Sequence, residues 1–212
     1  MEEQKSFKER VRDTVICNAS SYKRYYVDYE YLLCSNAFVR NRYYIVSAYE
    51  DNYLHLTGLH TNLSASVFFE KAYQGTLTEA DFDFCKNGQS ESEVKGSVRR
   101  KINSLSGIMH MFTVGTLVEE DFEKNRIRCS LAAGNSVATL GFVVVGSARP
   151  MTLLKGNELN AAKAKKLDIV LARKVGEKRF SELIWGNKES FDKYKDCLQG
   201  LITEELQTKM ED

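Results

Sequence analysis

One proline, Pro150, stands in 212 residues, and nowhere does the chain run through the roughly twenty consecutive apolar residues of a membrane-spanning helix. The opening MEEQKSFKER also lacks the apolar centre of a secretory leader, so neither export nor contact with a membrane is expected. Scarce proline beside 43% hydrophobic residues excludes the composition of a disordered chain. The five cysteines, Cys17, Cys34, Cys85, Cys129 and Cys197, are odd in number and form no CxxC pair, which points to reduced thiols and a cytoplasmic location. Phosphate-loop and dinucleotide fingerprints are absent, as is the GxSxG elbow of a serine hydrolase. The three histidines, His55, His60 and His110, do not stand at HExxH spacing, and no Cys/His cluster has zinc-finger spacing. Neither a metal nor a cofactor is expected.

A net charge of +1 gives no global case for a polyanionic partner. The charge is uneven, however: residues 149–179 hold nine Lys or Arg against three acids, and residues 180–212 hold four against eight. Such a basic segment permits a local anion site.

Apolar residues at 7, 11, 15, 19, 22, 26, 29 and 33 keep a helical period, as one helix or two collinear ones. Arg42–Ala48 has the β-branched and aromatic content of a strand. Tyr53–Thr57 alternates, with Tyr53, His55 and Thr57 on one face and Leu54 and Leu56 on the other, which predicts a second strand able to pair with the first. Gly58 ends it, Asn62 is placed to cap a helix carrying Phe68 and Phe69, and Thr78–Asp81 caps a short one. Residues 83–93 are expected as an exposed polar loop and 94–108 as a helix with Val98, Ile102 and Leu105 inward. Strands are expected over 111–118, 126–132 and 136–146. Gly134–Asn135 is the turn of a hairpin, and Pro150 is punctuation. Further short strands fall at 168–175 and 180–185, before a last helix capped by Asn187 and an acidic, frayed tail. The fold class is α+β, with N-terminal helices packed on an antiparallel sheet and a C-terminal helix. The expected division is a helical extension over 1–40, a central domain over 41–187 and the last helix over 188–212.

His55, beside Thr57 on a polar face, is the candidate for proton transfer, since imidazole titrates near neutrality. Metal-independent RNA cleavage needs little else. A base takes the ribose 2′-hydroxyl proton, cations stabilise the phosphorane, and an acid protonates the leaving 5′-oxygen. A Lys or Arg from another element and a hydroxyl complete that set, and DNA, which lacks the internal nucleophile, is disfavoured.

HLTGLHTNLSASVFFEKAYQGTLTEADF resembles a motif of the phage-associated barnase, EndoU, colicin and RelE-like nucleases, in the branch with an HLTG segment running into a helix with a Phe-Phe pair. KINSLSGI resembles that family's lysine-led helix and RPMTLLKG its proline-to-hydroxyl segment, so the resemblance spans about Tyr43 to Trp185. It implies a metal-independent RNase carried by phages or mobile elements as a toxin or effector. Carried over by position, His55 and Thr57 match the HLTG segment, Lys101 the lysine-led helix and Thr152 the late hydroxyl. Arg128 joins them from its outward place beside Ser130. Arg99, Arg100, Arg126 and Arg149 are the expected RNA contacts. The partner implied is RNA, with a host or immunity protein as a second. A non-enzymatic inhibitor that binds a host protein on the same scaffold is the competing reading. An RNA-binding module without cleavage is the third.

Overall fold

The structure is a computed structural model that describes residues 5–113 and 115–211. Helix α1 (Phe7–Tyr22) opens on a capping box in which Ser6 and Glu9 satisfy one another's backbone N–H groups. It widens into a π-turn over Lys23–Val27 and stops at Asp28. The chain then enters strand β1 (Tyr29–Cys34), where the sequence predicts more helix. The reason for the difference is burial on both faces: Tyr31 and Leu33 enter one core while Leu32 and Cys34 enter another. An apolar run of that kind carries no period that separates strand from helix.

After β1 come β2 (Tyr44–Ser47), α2 (Asn52–Thr57), α3 (Ala65–Tyr73) and α4 (Glu91–Leu105), with a 3-10 turn at Glu79–Asp81. Strands β3 (Leu117–Lys124), β4 (Ile127–Gly134), β5 (Ala138–Val145), β6 (Ser147–Lys155), β7 (Lys165–Lys166), β8 (Ile169–Lys174) and β9 (Glu182–Trp185) follow, then α5 (Lys188–Leu198) and α6 (Glu204–Glu211). The nine strands form one sheet in the order β7-β3-β4-β5-β6-β2-β1-β8-β9. Neighbouring strands are antiparallel except β2 and β6, which run parallel through Val46 and Ala148. The α+β class is therefore as expected. The larger core lies between the sheet and α1–α4. The smaller one, with Leu32, Ile169, Leu171, Phe191 and Leu198, lies under α5 and α6.

Several local expectations are corrected. Tyr53–Thr57 is helix α2 and forms no hairpin with β2, whose partners are β1 and β6. Its buried residues Tyr53, Leu56 and Thr57 fall at helical spacing. The Tyr53 hydroxyl donates to the Val15 carbonyl at 2.6 Å, and its ring packs 4.8 Å from Tyr22 and 5.4 Å from Phe69. These contacts, rather than the alternation, decide the segment. Ser64, not Asn62, caps α3. The capping box of Ser90 and Glu93 starts α4 inside the segment expected as loop. The strand expected over 111–118 begins only at Leu117, and Val114 lies outside the described residues.

The β4–β5 hairpin forms as expected, although its turn runs over residues 135–138 and is held by Asn135 Oδ1, which accepts the N–H groups of Val137 and Ala138, each at 2.9 Å. Pro150 sits within β6 opposite Phe142, where the register slips past Gly141, a place that tolerates a residue without N–H. The tail is not frayed, because α6 buries Leu206 and Met210.

Candidate functional site

Four elements meet at an open groove of about 970 Å³. The last turn of α2 brings His55, and the link after it brings His60. Helix α4 contributes Lys101, the β3–β4 hairpin Arg126 and Arg128, and β6 Thr152. The loop Cys85–Asn87 closes one side. Four Lys or Arg and two histidines line the groove, with no carboxylate among the described residues that line it, in a chain whose net charge is only +1. The excess of basic side chains is thus local, the arrangement that can concentrate an anion in a cleft, although Arg128 and His60 each face a carboxylate just outside the lining, Glu123 and Asp83.

Two glycines allow these elements to close up. Gly58 ends α2 in the left-handed conformation, φ +73°, and a Cβ there would lie 2.8 Å from Lys101 Cδ. The lysine stem runs over this bare backbone, and its ammonium donates to the His55 carbonyl at 2.9 Å. Gly141, on β5, separates Cys129 of β4 from Thr152 of β6. A Cβ on Gly141 would stand 2.6 Å from Cys129 Sγ and 2.9 Å from Thr152 Cγ2, so the groove floor depends on its absence.

Lys101 forms no ion pair with any described carboxylate. Burial, with the positive charge of Lys86 adding to it, lowers its ammonium to about 8. A half-buried cation with only a carbonyl for company is short of a negative partner, and a phosphate oxygen supplies one. Arg128 is exposed and leans on Glu123 at 3.1 Å. The two groove thiols are poor nucleophiles at neutral pH: burial raises Cys129, and the charge of Asp83 raises Cys85. Among the described residues no group of three or more His, Cys, Asp or Glu stands where it could hold a metal ion.

The other candidates lie elsewhere. Thr57 is fully buried; its hydroxyl donates to the Leu54 carbonyl at 2.8 Å and accepts from the Leu59 N–H at 3.2 Å, which ties the turn and leaves nothing for a ligand. Arg99 lies 5.0 Å over the Phe7 ring in a separate recess. That recess shares Phe7 with a neighbour lined by Lys8 and Lys95, which in turn meets the groove along Cys85–Asn87. Arg100 is exposed on α4 outside the groove. Arg149 stacks 4.6 Å over Tyr49, and its buried Nε has no partner among the described residues.

The sequence reading missed Lys86 and the pairing of His60 with Asp83, whose Oδ1 lies 2.9 Å from the imidazole Nδ1. A signal for the pair existed. In Phe82-Asp83-Phe84 both aromatics are buried, so the residue between them is turned outward.

An α+β scaffold with a cationic groove that also holds two imidazoles is the kind of site that can accept a phosphate-bearing ligand. The chain belongs to the phage-Barnase-EndoU-ColicinE5/D-RelE like nuclease4 family, which matches residues 14–170. It is thus a member of a phage-type nuclease family. Neither a curated protein nor a solved structure matches it.

Proposed function

We propose that the groove cleaves RNA without a metal ion, by attack of the ribose 2′-hydroxyl on the adjacent phosphate, as an effector or toxin of a phage or mobile element. The convergence of His55, Lys101, Arg126, Arg128 and Thr152 on one groove, with no lining carboxylate among the described residues, supports this reading. His55 transfers a proton, Lys101 and Arg128 hold the phosphate oxygens as charge builds, and the Thr152 hydroxyl positions the ribose or phosphate. Thr57 serves indirectly, by fixing the turn that carries His55 and Gly58. Arg126 contacts the strand inside the groove. Arg99 meets it along the path past Lys86 and Phe7; Arg100 and Arg149 line neither the groove nor these recesses and stand outside that path.

The test is incubation of the purified chain with end-labelled RNA in excess EDTA. Cleavage is expected, and His55→Ala is expected to slow it on the order of 100-fold or more, the usual contribution of one proton-transfer group. Absence of cleavage by the parent, or full activity in His55→Ala, would overturn the reading. In the first case a binding role toward RNA or a host protein takes its place.

A further inference from the structure

Cleavage through the 2′-hydroxyl moves two protons, one away from the nucleophile and one onto the leaving oxygen, and the groove holds two imidazoles. They are held very differently. His55 is exposed and its ring has no hydrogen-bond partner among the described residues. His60 is fixed twice over. Its backbone forms a bridge with Asp83, through His60 N–H to the Asp83 carbonyl at 3.3 Å and Asp83 N–H to the His60 carbonyl at 2.9 Å. Its side chain meets the same residue, with Nδ1 at 2.9 Å from Oδ1.

Asp83 is itself held, since Oδ1 also accepts the Cys85 N–H at 2.8 Å and the residue sits between the buried Phe82 and Phe84. Burial would raise its carboxyl, but the hydrogen bonds from Cys85 and His60 outweigh that and keep it below the usual carboxylate range. A carboxylate facing Nδ1 fixes the proton on that nitrogen and leaves the Nε2 lone pair to accept another. That is the preparation a general base needs, and an acid arriving as imidazolium does not need it.

Resting on the RNA-cleaving reading of the groove, we infer that His60, oriented by Asp83, removes the 2′-hydroxyl proton, while His55 protonates the departing 5′-oxygen. His60 Nε2 takes the proton, the 2′-oxygen bonds to phosphorus, the P–O5′ bond breaks, and O5′ receives the proton of His55. A 2′,3′-cyclic phosphate and a 5′-hydroxyl are left. His60 is the catalytic residue of this pair and Asp83 a positioning residue.

Two short oligoribonucleotides in EDTA test the assignment, one ordinary and one with sulfur in place of the bridging 5′-oxygen, since a thiolate leaves without needing a proton. His55→Ala is expected to be slow on the first and to recover on the second. His60→Asn, which keeps a donor for Asp83 but has no basic nitrogen, is expected to be slow on both, by about 100-fold or more. Asp83→Asn is expected to fall less and likewise to gain nothing from the sulfur. Recovery of His60→Asn on the sulfur substrate, or parental activity in it on ordinary RNA, overturns the assignment while the RNase reading stands. Failure of the parent on both substrates overturns the two together. His60→Ala beside His60→Asn, each checked by thermal unfolding, separates loss of the base from loss of the bridge.

Discussion

Lys101 weighs on stability at the same place where the proposed mechanism would use its charge. Its folded-state pKa, about 8, lies below the ordinary 10.5 because burial and the nearby Lys86 disfavour its charge. Between these values the unfolded chain binds more protons than the folded one, so stability rises as pH climbs from about 8 toward 10.5. Below pH 8 both states are charged and the fold bears the whole desolvation penalty. Lys101→Met removes the titration. The melting temperature of the parent is expected to rise relative to this variant across that window, in thermal unfolding at fixed ionic strength. A difference that stays flat with pH would mean the ammonium is not desolvated. The same substitution is expected to slow RNA cleavage by on the order of 100-fold, the loss typical of one donor to a developing oxyanion. A bound phosphate restores the missing counter-charge, so phosphate is expected to stabilise the parent more than Lys101→Met.

At the level of elements, the groove depends on two places where a side chain is missing. Gly58→Ala puts a methyl group at a left-handed position, a strain of about 1–2 kcal/mol, and pushes it against the Lys101 stem. Gly141→Ala drives Cys129 and Thr152 apart beneath the groove. Both variants are expected to lower the melting temperature. Gly141→Ala, far from His55 in sequence, is expected to lose RNA cleavage through the displaced floor, which parallel unfolding and cleavage assays resolve.

The same elements explain what was legible beforehand. The β4–β5 hairpin and α4 announce themselves because Cys129 and Leu131 alternate cleanly and Val98, Ile102 and Leu105 keep a helical period. Helix α2 does not. Six residues are too few for its period to beat an accidental alternation, and what settles it is Tyr53 packing on Tyr22 and Phe69, contacts made across the chain. The candidate site was legible to the same extent. His55, Lys101, Arg128 and Thr152 could be named from residue type and motif. That Thr57 is spent on a turn, and that Asp83 holds His60 from 23 residues away, are matters of tertiary structure.

Across the whole molecule, the sheet is covered on both faces around β1 and β8, and the family match ends at residue 170, before the elements that cover the second face. Helices α5 and α6 shield Leu32, Ile169 and Leu171, each worth roughly 1.5–3 kcal/mol when buried. A chain ending at Gly186 is therefore expected to lose cooperative unfolding, seen as a broadened calorimetric transition. Charge is distributed on the same scale. With the total near neutrality, long-range attraction of a nucleic acid is weak, and on the proposed RNA-cleaving reading binding comes from the groove and the recesses that continue it past Lys86 to Arg99. Each cation that meets a phosphate releases a counterion on binding, which fixes how steeply affinity falls with salt. An RNA carrying a 2′-deoxy sugar at the cleavage position cannot be cut through its own hydroxyl and reports binding alone. For that ligand, Arg126→Ala and Arg99→Ala are each expected to reduce the slope of log affinity against log salt by about 0.7. Arg149→Ala, whose guanidinium is stacked on Tyr49, is expected to change it less. Equal slopes in the parent and in Arg126→Ala would remove the groove from the path of the strand, whatever the fate of His55 and His60.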